Sequence, residues 1–118
     1  MKRALVLTLF LLSITTFFAQ GNLQFNQVIT SAFASGNVTP VTVPAGKVWK
    51  LENCMLNSTG NSYTYMLYNG VYYNLRQQGS SSQVANFPFW LSAGSTVTFG
   101  AGGASGGAIS IIEFNIVP

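Results

Sequence analysis

The chain has 118 residues, 6% of them charged and 48% apolar, which excludes a disordered polymer and a protein with a charge-rich surface. The formal charge is +3, with no histidine and only two acidic residues. A Ser-His-Asp arrangement therefore cannot be assembled, and zinc and copper lose their usual imidazole ligands.

Lys2 and Arg3 precede an apolar run over residues 4–18, and small Ala19 comes before Gln20. That order predicts a secretory signal peptide at residues 1–19, cleaved after Ala19, and a single domain at residues 20–118. The run is shorter than the roughly 20 apolar residues of a membrane span, so no membrane insertion is expected after cleavage. The expected destination is extracellular or the cell surface. Without Lys2 and Arg3 the formal charge falls to +1, too little to draw the chain to nucleic acid.

Beyond the leader, helical periodicity is absent, and β-branched or aromatic runs alternate with turn residues. Residues 23–30 and 38–43 read as the first strands, Pro40 placing the second at an edge or a bulge. Pro44-Ala45-Gly46 turns the chain into a strand over 47–56. Strands at 63–68 and 71–76 flank Asn69-Gly70, a type I′ hairpin signal. The register predicted from that turn pairs Tyr68 with Val71, Met66 with Tyr73 and Thr64 with Leu75 on one side. Leu67 with Tyr72, Tyr65 with Asn74 and Tyr63 with Arg76 share the other.

A polar loop over 77–83 leads to a strand at 84–91, and Ser92-Ala93-Gly94-Ser95 makes a second corner like the first. A strand at 96–99, a glycine-rich loop at 100–107 and a closing strand at 108–117 complete the domain. About eight short strands separated by turns predict an all-β, antiparallel sandwich of jelly-roll or Greek-key type.

Cys54 stands alone, so no internal disulfide forms. Alternation from Trp49 and Leu51 would point it outward, but a bulge at Asn53 would turn it into the core, and burial is the expectation for an unreactive thiol. Glu52 and Glu113 are the only carboxylates. A glycosidase would need two flanking one bond, whereas both sit in strands among apolar residues. They are read as solvent-facing, Glu52 paired with Lys50. The glycine-rich loop lacks Gly-Lys-Ser/Thr and leads into a strand, so it is no phosphate loop. No catalytic residue, metal site or cofactor is assigned.

Two surfaces remain. Tyr63, Tyr65 and Tyr72, with Trp90 downstream, offer flat rings beside asparagine and glutamine amides, a combination suited to sugars. On the closing strand, Ile112, Phe114 and Ile116 form one face while Ile109, Ile111 and Val117 share the other with Glu113. A strand apolar on both faces calls for something to cover the second, and Ile109, Ile111 and Val117 are the expected self-association contacts.

The segments Val43-Pro44-Ala45-Gly46-Lys47-Val48-Trp49-Lys50, Phe89-Trp90-Leu91-Ser92-Ala93-Gly94 and Ile111-Ile112-Glu113-Phe114-Asn115-Ile116 resemble those of small exported bacterial β-sandwich proteins. Similar corners occur in jelly-roll domains of adhesins and phage tail fibres. The resemblance implies a jelly-roll-like sandwich and carries over no functional residue. The expected function is that of a non-enzymatic structural or adhesive subunit whose partner is itself. A carbohydrate-binding module for a surface glycan is the alternative, and a glycosidase a remote one.

Overall fold

The computed structural model describes residues 22–36, 40–57, 60–79, 82–103 and 106–117. Residues 1–21, where the signal peptide is expected, the start of the predicted second strand at 37–39 and the middle of the glycine-rich loop lie outside the described residues. Among those described, strands β1 (Asn22–Phe33), β9 (Gly106–Val117), β3 (Lys47–Asn57) and β7 (Phe89–Leu91) form one sheet, in that spatial order. Strands β2 (Val41–Thr42), β8 (Thr96–Gly102), β4 (Ser62–Tyr68), β5 (Val71–Gln78) and β6 (Gln83–Val84) form the second. All pairings between strands are antiparallel. Two sheets packed face to face in this order make a jelly-roll sandwich, with β6 added at one edge.

The core lies between the sheets. Leu51, Leu91, Ile109 and Ile111 of the four-stranded sheet meet Met66, Leu75, Val97 and Phe99 of the other, all with 5% exposure or less. Ile109 and Ile111 are therefore core residues. The expectation that they contact a second copy is corrected: alternation along β9 directs them inward, and Ile112, Phe114 and Ile116 form the outer face.

The two similar corners are cross-sheet connections, β2 to β3 and β7 to β8. In each, an N–H three residues on closes the turn: Lys47 donates to the Pro44 carbonyl (3.1 Å) and Ser95 to that of Ser92 (3.2 Å). Gly46 and Gly94 supply the positive φ, 72° and 77°, that a type II turn needs at its third position. The corners also bond to each other. Val43 donates its N–H to the Ser95 carbonyl and accepts from the Gly94 N–H, both at 2.9 Å. The matching turns let neighbouring strands change sheet together.

Asn69 and Gly70 have φ of 49° and 81°, as a type I′ hairpin requires. The predicted register holds from Tyr68–Val71 to Tyr65–Asn74. Beyond it Leu75 is an extra residue, so Thr64 faces Arg76 and Tyr63 faces Gln77. Leu75 is fully buried on the side of Thr64 and Met66, where the predicted register also had it; the bulge changes the partners of the residues beyond it.

Candidate functional site

The outer face of the five-stranded sheet follows from alternation in β4. Ser62, Thr64 and Met66 are buried, which sends Tyr63 and Tyr65 outward. On the neighbouring β8, Tyr63 lies beside Gly102 and Tyr65 beside Gly100. The rings lean across into the space a side chain would take: a Cβ on Gly102 would sit 2.2 Å from Cζ of Tyr63, and one on Gly100 2.4 Å from Cζ of Tyr65. Glycine is required there to seat the aromatic rings, and this is why β8 continues as a strand through residues read as loop.

Tyr72 of β5 stacks on Tyr65 from the other side, with centroids 5.2 Å apart and planes at 23°. Tyr63 lies 6.2 Å from Tyr65. Tyr63 is 39% exposed and Tyr72 52%. The amides of Asn74 and Gln77, which hydrogen-bond at 3.2 Å, lie opposite Tyr65 and Tyr63 in β5. Burial and the neighbouring Tyr63 and Tyr65 push the Tyr72 hydroxyl up from its ordinary value, so it stays a neutral donor at physiological pH. No charged side chain belongs to this face among the described residues.

Trp90 is not part of the cluster. It lies on the outer face of the opposite sheet, 49% exposed, with its ring 5.8 Å from Phe114 and the Lys50 ammonium 5.6 Å from its centroid. Lys50 also pairs with Glu52 at 2.5 Å, as expected. Thr30, Ser110 and Asn53 make a polar row on that face, and the rows toward the other end are largely apolar. Val28, Ile112, Lys50 and Trp90 form one row across the sheet, and Phe25, Phe114 and Val48 the next. Leu23, Phe25, Val28 and Ile116 are between 42% and 63% exposed. The apolar surface predicted for β9 exists, on the face opposite the one expected.

Glu113 is not solvent-facing; at 4% exposure it is buried. Its Oε2 accepts from Trp49 Nε1 at 2.8 Å, and its Oε1 from Asn26 Nδ2 at 2.6 Å and Gln27 Nε2 at 3.0 Å. Consecutive strand residues normally point to opposite faces. A bulge between Phe25 and Gln27 brings Asn26 and Gln27 to one carboxylate. The Lys47 ammonium lies 3.8 Å away and also donates to Asn115. Burial alone would raise the Glu113 pKa, but the donors from Trp49, Asn26 and Gln27 and the Lys47 charge outweigh it and hold the carboxyl below its ordinary value. This network ties β1, β3 and β9 together. It does not bring Glu113 to Glu52, which pairs on the outer side of β3.

Cys54 is 1% exposed, as a bulge between Leu51 and Asn53 dictates. Its Sγ lies 3.2 Å from Thr64 Oγ1, and burial pushes the thiol up from its ordinary value, which suppresses the reactive thiolate. Sequence reasoning missed Asn26, Gln27 and the β1 residues Leu23, Phe25 and Val28, whose alternation is offset by the bulge. It also missed Gly100 and Gly102, although their spacing of two matches that of Tyr63 and Tyr65. Compared with known proteins, the chain matches no family model, no curated protein and no solved structure.

Proposed function

We propose that the protein is a non-enzymatic, exported or cell-surface β-sandwich that works by contact and associates with itself, as a structural or adhesive subunit. The observation that carries this reading is the apolar outer face of the four-stranded sheet. Strands of 11 and 12 residues give a face about 40 Å long and about 15 Å wide at the usual β spacings. That is about 600 Å² before side-chain relief, near the roughly 800 Å² per partner of a stable interface. A second copy offers the same surface, whose only charges are the mutually paired Lys50 and Glu52, so stacking the two sheets opposes few like charges. Light scattering on the purified protein at micromolar concentration tests it. An oligomer that Ile116→Lys dissociates is expected, and a monomeric wild type would end the reading.

The stacked tyrosines favour a second reading, a binding face for a neutral glycan. Sugar C–H patches stack on the exposed rings of Tyr63 and Tyr72 while Asn74 and Gln77 bond hydroxyls. Titration with neutral polysaccharides is expected to show binding that Tyr72→Ala abolishes and Trp90→Ala leaves intact. Equal binding by wild type and Tyr72→Ala would remove this face as the site.

A further inference from the structure

The sheets have four edges, and they are treated differently. Three are short: β7 has 3 residues, and β2 and β6 have 2 each. The fourth, β1, has 12 residues, and all but Ile29 and Phe33 are exposed. Proteins blunt long edges with lysine, proline, bulges or a covering segment, because unpaired N–H and C=O groups accept another strand. β1 reads NLQFNQVITSAF, without a charge or a proline. Its one bulge lies between Phe25 and Gln27, leaving a regular run from Gln27 to Phe33.

We infer that β1 pairs edge to edge with the β1 of a second copy, antiparallel about a two-fold axis at Thr30. The inference rests on the self-association proposed above and adds a second contact to it. Two features choose a second copy over an unrelated strand. A two-fold axis sets each strand against its own sequence in reverse, so a charge on the axis would meet its like and one elsewhere would meet an uncharged residue; this edge has none. The bulge also fixes the register. Centring on Thr30 pairs Gln27 with Phe33, Val28 with Ala32 and Ile29 with Ser31, and so uses the whole regular run. Thr30 then faces its own copy, a favourable cross-strand pair. The joined sheet has eight strands, and its two apolar outer faces become continuous. Edge pairing and face packing on one chain together build assemblies larger than a dimer.

Cysteine substitution and light scattering on the purified full chain test the inference. Opposed residues in an antiparallel pair have Cα atoms about 4.5–5.5 Å apart, within disulfide range. Thr30→Cys is therefore expected to give a covalent dimer under mild oxidation. Val28→Cys and Ala32→Cys should each fail alone and crosslink when mixed; buried Cys54 does not interfere. Ser31→Lys, at an exposed edge position away from the apolar face, should leave the circular dichroism unchanged and reduce the assembly to a face-packed dimer. The two contacts fail separately. If Thr30→Cys does not crosslink and Ser31→Lys keeps the wild-type mass while Ile116→Lys dissociates it, edge pairing is wrong and face packing stands. A wild type that is monomeric at micromolar concentration overturns both.

Discussion

The two outer faces of this sandwich are built from similar alternating strands and end in opposite surfaces. On the five-stranded sheet, aromatic side chains are laid over glycines of the next strand. Each ring covers backbone that would otherwise face water, and its hydroxyl and the flanking amides keep the surface polar. On the four-stranded sheet the same outward positions hold Leu23, Phe25, Val28, Ile112, Phe114 and Ile116, and only Lys50 and Glu52 bring charge. The first face covers much of its aromatic area within one chain, while the second leaves Leu23, Phe25, Val28 and Ile116 exposed.

The largest expected effect separates the two sides of β9. Ile111→Ala opens a cavity in the core and should cost about 2–5 kcal/mol, measured by denaturant unfolding. Ile112→Ala, one residue away on the outer side, should cost clearly less and act on the oligomer instead. Equal losses would mean that the inner and outer faces of this sheet are not distinct.

Next comes the Glu113 network beneath the apolar face. Glu113→Gln replaces one acceptor by a donor among donors from Trp49, Asn26 and Gln27, at a cost of about 1–3 kcal/mol. The sign of the pH effect follows from the depressed folded-state pKa. The carboxylate's contribution is complete above its unfolded value of about 4.3 and is lost as pH falls through the lower folded value. Wild type should lose stability relative to Glu113→Gln in acid below about pH 4, as read from unfolding curves.

Gly100→Ala tests the seating of the tyrosines. The new methyl meets the Tyr65 ring, so the ring must move off β8 and disturb its stack with Tyr72. A cost of about 1–3 kcal/mol is expected from overpacking, with a changed near-ultraviolet dichroism. An unaltered aromatic signal would show that the glycine does not hold the stack. The smallest effect belongs to Trp90→Ala, where the partly exposed contact with Lys50 contributes about 0.5–1 kcal/mol.

The strand pattern was legible because apolar alternation and turn residues are local signals. Both corners and the Asn69-Gly70 hairpin are of this kind, and so is the burial of Cys54, which a bulge beside Asn53 explains. Side-chain direction failed where a bulge shifts the two-residue period. One bulge sets Arg76 opposite Thr64 instead of Tyr63, another gathers Asn26 and Gln27 onto Glu113, and neither leaves a mark in the local pattern. Trp90 was grouped with the tyrosines because it is near them in sequence and aromatic. The crossover between sheets from β6 to β7, over residues 85–88, puts it on the far side of the molecule.

By itself the amino-acid sequence determined an all-β antiparallel sandwich and the places where the chain turns, since φ preferences and alternation act over a few residues. Only the tertiary structure decided which face of each strand is buried, that the two corners bond to each other, and that Glu113 is enclosed. Those outcomes depend on which strands become neighbours, and neighbours here can lie 87 residues apart, as Asn26 and Glu113 do.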